Sequence, residues 1–384
     1  MTEHDPPGLV PGTPALPPDA AARIAADARA LVGAPARQVA AWFKRAMDLA
    51  LPAQDGSIDS QRVVADAVRR RALAANSIAA YRSGVKAWCA YAARHDIPAL
   101  PAAPDDVKAF LVDQRAPLPP RRGVAMTTLR LRAQAIGYMH RLADLPSPTR
   151  ATAVLQTLQG YQQLSAEAPR RKLALRLDLL SAVIGLIPDD LTGLRDKAVL
   201  LLGFAGALRR SELAALELGA VEIIETAGRR GLRLRLTRSK GDRAATGTSI
   251  VIPAGTTALC PLAAYRAWIA AAALTDGPVF RTIHIQPRPP QAPASWQPAS
   301  RAGSAALCPR SIANIVKRRG AAAGLDPDRL GGHSLKRGAL NTAGDHGAEP
   351  KAMKALGRHK SYSALAEYLD ERETWQDGAL AGLY

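Results

Sequence analysis

One stretch of this chain alternates with a period of two: Leu232, Leu234 and Leu236 interleave with Arg233, Arg235 and Thr237. That is the signature of a half-buried strand. Val221 to Thr226 and Ser249 to Ile252 read as strands on either side of it, with Gly228-Arg229-Arg230-Gly231 turning the first pair and Lys240-Gly241-Asp242 in the second turn. Elsewhere the apolar residues recur at helical spacing. The chain is therefore expected to be mainly α with a small antiparallel β-sheet, an α+β fold.

The helical pattern falls into two regions. From about 60 to 145, Val63, Val64, Ala67 and Val68 form one stripe, and Ile78, Tyr81, Val85 and Trp88 a second, with Asn76 placed to cap it. Asp105 and Asp106 suit the first turn of a third helix carrying Val107, Phe110 and Leu111. Thr127 or Thr128 opens a fourth, with Leu129, Ile136, Met139 and Leu142. After Pro146 and Pro148 a linker zone runs to about 172. Helices follow at Leu179 to Ile187, Asp196 to Leu208, Pro261 to Leu274, Ser311 to Ala323 and His333 to His346, and a last one from about Ala352 through Tyr368. The Pro/Ala/Ser-rich stretch 285–305 reads as a mobile insertion. Residues 1–20 are rich in Pro, Gly and Ala and read as disordered; Ala36 to Leu51 has the pattern of an amphipathic helix without an assignable role. The expected domains are a disordered or weakly structured N-terminal extension (1–55), a helical domain (56–147), a linker (148–172) and a mixed domain with a C-terminal tail (173–384).

Charge narrows the partner. Fifty-one Lys and Arg stand against 33 Asp and Glu, a formal net charge of +18, and a field of that sign draws polyanions, nucleic acid above all. The outward faces of the first helices carry Arg69, Arg70, Arg82, Lys86, Arg130 and Arg132, candidates for contact with double-stranded DNA. Three cysteines spread over the chain form neither a disulfide framework nor a zinc set, and no histidine pair has i, i+4 ligand spacing, so no metal is expected. The N-terminus lacks a signal-peptide pattern and the longest apolar run, Ala198 to Ala207, is too short to span a bilayer; a cytoplasmic, nucleoid-associated protein fits, with no membrane partner.

Chemistry concentrates in four short segments. Cleaving a phosphodiester takes a nucleophile, cations on the non-bridging oxygens and a proton for the leaving oxygen. Tyr368 suits the nucleophile, Arg209 a bidentate hold on phosphate, Lys240 proton donation from a hairpin tip, and His333 and His359 hydrogen bonding or proton transfer. Glu212, three positions after Arg209, is placed to orient its neighbours.

Gly206-Ala207-Leu208-Arg209-Arg210-Ser211-Glu212-Leu213, Arg238-Ser239-Lys240-Gly241, Gly332-His333-Ser334-Leu335-Lys336-Arg337-Gly338, and Leu356-Gly357-Arg358-His359 followed after nine positions by Tyr368 together resemble the boxes of the tyrosine recombinase (phage integrase) family. The resemblance spans about residues 60 to 375. It implies a helical core-binding domain and a catalytic domain forming a C-shaped DNA clamp, with four protomers on two DNA sites and strand exchange through a Holliday junction. It implies that Arg209 clamps the scissile phosphate, Lys240 acts as general acid, His333 assists as acid or base, His359 hydrogen-bonds the phosphate, and Tyr368 forms a 3′-phosphotyrosyl link. It implies no metal or nucleotide cofactor. Accessory DNA-bending proteins are possible partners.

One position departs from the family pattern. The arginine usually three residues after the box-two histidine is Lys336 here, with Arg337 next. Lysine keeps the charge and loses the planar fork. Neighbouring helical residues point about 100° apart, so Arg337 does not simply take the place. Lys336 is expected to fill the role with weaker phosphate fixation. Tyr362 is expected to pack rather than react. The tail beyond Leu369, with Trp375, Leu380, Leu383 and Tyr384, either docks on a neighbouring protomer or folds back. The leading expectation is a site-specific recombinase that integrates or excises a mobile element; a non-catalytic DNA-binding relative and a nicking-closing enzyme of the type IB topoisomerase kind are the alternatives.

Overall fold

The computed structural model describes residues 30–48, 57, 58, 61, 64, 65, 75–165, 172–226, 228–236, 247–286, 291, 299–366 and 368. The chain divides into two units, Met1–Ala168 and Pro169–Tyr384.

The first unit is helical: α1 (Ala36–Asp48), α2 (Ala75–Arg94), α3 (Pro104–Arg115), α4 (Met126–Leu142) and α5 (Thr152–Leu164). Its core joins Trp42, Phe43, Trp88, Phe110, Leu111, Ile136 and Met139, all almost fully buried. The Trp88 indole N–H donates to Ala99 O at 2.9 Å, so a large ring is buried without stranding its donor. α2 and α4 cross at Gly84, where a Cβ would lie 2.7 Å from that of Ala135, so only a glycine allows this approach. α3 starts with Pro104 and carries Asp105 and Asp106 in its first turn, as the helix dipole favours.

Two expectations about this unit are corrected. Residues 36–48 form α1, as the amphipathic pattern predicts, but not within a disordered or weakly structured extension: Val39, Trp42, Phe43 and Ala46 fall at helical spacing on a stripe buried in the core. The first part of the expected linker is also a helix, α5, whose Val154 is fully buried. Asn76 lies inside the first turn of α2 rather than ahead of it. Val63, Ala67 and Val68 lie outside the described residues.

The second unit is built on α7 (Leu191–Ala205), preceded by α6 (Leu177–Gly185). Asp190 caps α7, accepting from Gly193 N at 2.6 Å, and Ala198 through Leu202 are buried around its circumference. Beyond α7 come the short α8 (Arg210–Ala214) and an antiparallel sheet of β1 (Val221–Thr226), β2 (Arg229–Leu236) and β3 (Thr248–Pro253), with β2 in the centre. Val221 pairs with Leu234, and Leu232 with Ile252. Leu232, Leu234 and Leu236 are buried, as the alternation predicts. The first turn is tighter than expected: Thr226 pairs with Arg229, so Arg229 to Gly231 belong to the strand. Helix α9 (Pro261–Ala271) follows.

The stretch 285–305 is also corrected. Arg281–Ile285 (β4) and Ser300–Ala306 (β5) pair antiparallel, so both ends of the supposed insertion are ordered by a ladder; residues 287–290 and 292–298 lie outside the described residues. Then come α10 (Pro309–Ala322), α11 (Gly332–Asp345), α12 (Pro350–Gly357) and α13 (Tyr362–Ala366). The last expected helix is thus two helices, broken at Arg358, which is left-handed at φ 51 and ψ 48. α11 packs tightly: a Cβ on Gly338 would lie 1.8 Å from Leu175 O. Among the described residues no helix is long and apolar enough to cross a membrane.

Truncating Trp42, which is 1% exposed, is expected to cost about 3–5 kcal/mol in equilibrium urea unfolding. A change within about 0.5 kcal/mol, normal for an exposed surface residue, would return α1 to a loose extension.

Candidate functional site

The second unit gathers its chemistry around one carboxylate. Ala207 closes α7 in the left-handed region at φ 43, an uncommon conformation for a residue with a Cβ. The turn there brings Arg209 to the N-terminus of α8, where Glu212 occupies the third position. Glu212 accepts the Arg209 backbone N–H at 2.8 Å and Arg209 Nη1 at 2.6 Å, fixing both the main chain and the head of that arginine. Its Oε2 also accepts Arg358 Nη2 at 2.9 Å. Burial pushes the Glu212 carboxyl up; the Arg358 charge, the Arg209 amide and the Arg209 guanidinium outweigh it and hold the group below its ordinary value.

Lys336 projects from α11 into the same cluster and is 1% exposed. Its Nζ donates to Gly357 O and stands 5.3 Å from the centre of the Tyr368 ring. Burial first, then the charges of Arg209 and Arg358, lower its ammonium from 10.5 to about 7 against the opposing pull of Glu212.

His359 lies edge-on to Tyr368, with ring centroids 4.6 Å apart and planes at 90°. Its Nδ1 is 2.8 Å from Ala364 O. A carbonyl accepts and never donates, so the proton sits on Nδ1, and Nε2, which is buried with no partner, donates only when the ring is cationic. Burial and the charges of Lys336, Arg209 and Arg358 lower the His359 pKa against that carbonyl bond. Gly357 makes room for the ring: a Cβ there would lie 2.4 Å from His359 Cδ2. The Tyr368 carbonyl accepts from Asn341 Nδ2 at 2.9 Å, and its ring packs against Leu340, Met353 and Leu365.

Arg209, Glu212, Lys336, His359 and Tyr368 thus come together. His333 stands at the margin, exposed, its ring 6.4 Å from that of Tyr368. Arg337 is buried on α11, turned from Lys336 by one helical step. Tyr362 lies outside the cluster, 54% exposed and 4.7 Å beneath the Lys354 ammonium. Lys240, Arg69, Arg70 and the tail beyond Leu369 lie outside the described residues. In the first unit, Arg82 and Lys86 on α2 join Lys44 on α1 around a cavity of about 350 Å³; Arg130 on α4 borders another of about 580 Å³. Arg132 is half-buried at the crossing of α2 and α4. Among the described residues no group of three or more His, Cys, Asp or Glu is placed to hold a metal ion.

Two residues of this cluster were not singled out in the sequence, Arg358 and Asn341. Arg358 stood inside the last box, and the signal was its position between a glycine that ends a helix and the histidine. Asn341 was one of several polar residues in α11, beside Thr342, and nothing local marked it.

No family model matches the chain. It is 29% identical over 336 residues to an integrase/recombinase XerD homologue of Selenomonas ruminantium, covering 85% of this chain and 91% of the relative. It is 25% identical over 235 residues to the Cre recombinase of Escherichia phage P1, covering 60% of this chain and 65% of that one. In sequence the chain is thus similar to tyrosine recombinases. Solved recombinase structures share its fold. XerH bound to a palindromic difH substrate after cleavage matches with a TM-score of 0.54 at 13% identity, over 87% of this chain and 92% of that one. A λ integrase tetramer bound to a Holliday junction matches with 0.52 at 15% identity, over 80% and 76%. The first, third and fourth boxes fall on α7–α8, α11 and the α12–α13 segment, and residues 238–241 lie outside the described residues.

The depressed Lys336 pKa carries a stability consequence. Because the folded state holds this proton less tightly than the unfolded chain, stability is lost as pH falls from about 10.5 through about 7. The groups facing Lys336 are Arg209, Arg358, Glu212, His359 and Tyr368. Lys336→Met, with no proton to bind, is expected to flatten this slope in denaturant unfolding followed from pH 7 to 10. Parallel pH profiles for the two proteins would mean that Lys336 is solvated in the folded state.

Proposed function

We propose that this chain is a site-specific recombinase that cuts and rejoins duplex DNA through Tyr368. The phenolic oxygen attacks phosphorus, a 3′-phosphotyrosyl bond forms, the bond to the 5′-oxygen breaks, and that oxygen takes a proton. The reverse attack by a 5′-hydroxyl of the partner duplex restores the phosphodiester, so the bond energy is conserved and no nucleotide is consumed.

The observation that carries this reading is the charge imbalance beneath Tyr368. Arg209, Lys336 and Arg358 share one carboxylate, Glu212. A phosphodiester brings the missing negative charge. Arg209, with Nη1 on Glu212, offers the rest of its fork to the non-bridging oxygens. Lys336 adds a point charge that the phosphate strengthens by raising its pKa. The same anion favours cationic His359, which then donates from Nε2. His333 assists proton transfer at the margin, and Lys240, on the β2–β3 connection, protonates the leaving oxygen.

The helical first unit, with Arg82, Lys86, Arg130 and Arg132, serves as the core-binding domain on the DNA backbone, and the second unit as the catalytic domain. Four protomers on two DNA sites, integration or excision of a mobile element, possible help from DNA-bending proteins and a cytoplasmic place on the nucleoid complete the proposal.

Covalent capture tests it. Wild type and Tyr368→Phe are expressed in cells, the lysates denatured in detergent, and protein-linked DNA sequenced. Wild type is expected to give a focused set of junctions with free 5′-hydroxyl ends, and Tyr368→Phe none, with salt-sensitive binding of the same duplexes by both. Adducts from Tyr368→Phe would transfer the role to another residue; their absence from both proteins, on nicked substrates too, would leave a DNA-binding protein without chemistry. Lys336→Ala is expected to cleave more slowly than wild type, and equal rates would remove Lys336 from the phosphate site.

A further inference from the structure

We propose that Arg358 is a positioning residue: through Glu212 and the carbonyls of Gly206 and Ala207, its guanidinium sets the direction in which Arg209 meets the scissile phosphate. The inference rests on the recombinase reading above and assigns a role that the box pattern does not contain.

Four of the five guanidinium N–H groups of Arg358 are engaged. Nη1 donates to Gly206 O at 2.9 Å and Leu356 O at 3.1 Å; Nη2 donates to Ala207 O at 2.8 Å and Glu212 Oε2 at 2.9 Å. Three of these acceptors lie some 150 positions earlier in the chain, on the turn and short helix that present Arg209. The remaining head atom, Nε, is buried with no partner. The side chain reaches this place because its own backbone is left-handed, which ends α12 and turns the chain toward His359. On the other side, fully buried Ala207 is also left-handed, and Arg358 bonds its carbonyl. Two strained backbone positions are held against each other by one side chain, and strain of this kind persists where the surroundings over-determine it.

A lysine does not substitute here. The contacts radiate in one plane from a single head, which matches a guanidinium and not a tetrahedral ammonium. Box two supplies a lysine where the family has its second arginine, and the second guanidinium of this site enters instead from the segment carrying His359. Its hydrogen bonds go to protein groups, so it acts through Arg209 rather than on substrate. α12 and α13 are independently held to α11 by Leu340, Met353 and Leu365, so loss of the guanidinium is expected to loosen Arg209 more than it unfolds the segment.

The test uses the full chain and nicked duplexes built from the junctions captured with wild type, under single-turnover conditions. Arg358→Gln is expected to slow covalent-complex formation on the order of 100-fold, the scale of a small misplacement of a reacting group, with duplex affinity within about 3-fold because phosphate contacts elsewhere dominate binding. The distinguishing readout is a double-mutant cycle. In a Glu212→Gln background the same change is expected to cost about a tenth or less of the factor it costs alone, because the path it acts through is already broken. Equal losses in both backgrounds, or an unchanged rate in Arg358→Gln, overturn the proposal. Arg358→Lys guards against a variant that does not fold: it is expected to keep the thermal midpoint within a few degrees and still cleave at least about tenfold more slowly, and a wild-type rate overturns the need for the fork. Failure of wild type itself to form the covalent complex overturns the recombinase reading and this inference with it, and is distinct from an active wild type matched by its variants.

Discussion

Everything at this site depends on how one buried carboxylate is neutralised. Glu212 is 4% exposed, and a charge taken that far from water is stable only if it is paired and hydrogen-bonded. It receives two guanidinium groups and a backbone amide. The requirement runs both ways, since the Arg358 side chain is 10% exposed and of its buried polar atoms Nη1 and Nη2 are hydrogen-bonded while Nε is not. Without the carboxylate, two guanidinium groups would sit side by side, repelling by about 4 kcal/mol at 4 Å for an effective dielectric of 20. The ion pairs therefore specify geometry more than they add stability: they fix where α8 starts, where α12 ends and which way Arg209 faces.

Glu212 does not neutralise the whole cluster. Its one charge is shared by Arg209 and Arg358, which leaves one positive charge unanswered, and protonated Lys336 adds a second. Burial first, and then the Arg209 and Arg358 charges, lower the Lys336 pKa to about 7, so part of the surplus is relieved through the lysine proton. An anion entering the site reverses that adjustment. Lysine in place of the family's arginine thus has a physical consequence beyond a weaker grip: the charge on this site becomes conditional on what occupies it. The same condition applies to His359, whose Nδ1 bond to Ala364 leaves Nε2 without a proton until the ring is cationic.

The sequence carried the parts of this arrangement that depend on local pattern. The period-two run of β2 is a property of one element, and each of the four boxes, like the nine-residue step from His359 to Tyr368, was readable as a short run of neighbouring residues. What escaped depends on contacts between distant segments. α1 had a clear apolar stripe, but nothing local says that Trp42 and Phe43 meet α2 and α4 rather than a partner. β5 reads Ser-Arg-Ala-Gly-Ser-Ala-Ala, with no alternation to mark it, and is a strand because Arg281 to Ile285 offers it a ladder. Arg358 looked like one more cation in a basic chain because its acceptors lie some 150 positions away.

The break at Arg358 links these points. A helix continuing from α12 through Tyr368 would have placed His359 and Tyr368 nine residues apart on one rod, about 13 Å along its axis at 1.5 Å per residue. Their rings are instead 4.6 Å apart, because the left-handed step and the turn at Lys360-Ser361 fold α13 back beside the end of α12. A residue with a Cβ takes that conformation at a cost, and glycine would take it more cheaply. Glycine would also remove the guanidinium that ties this turn to Ala207 and Glu212. An arginine in a left-handed cap makes sense where the side chain is worth more than the strain, and its four hydrogen bonds supply that return. The same step that ends the helix therefore brings histidine to tyrosine and delivers the charge that orients Arg209.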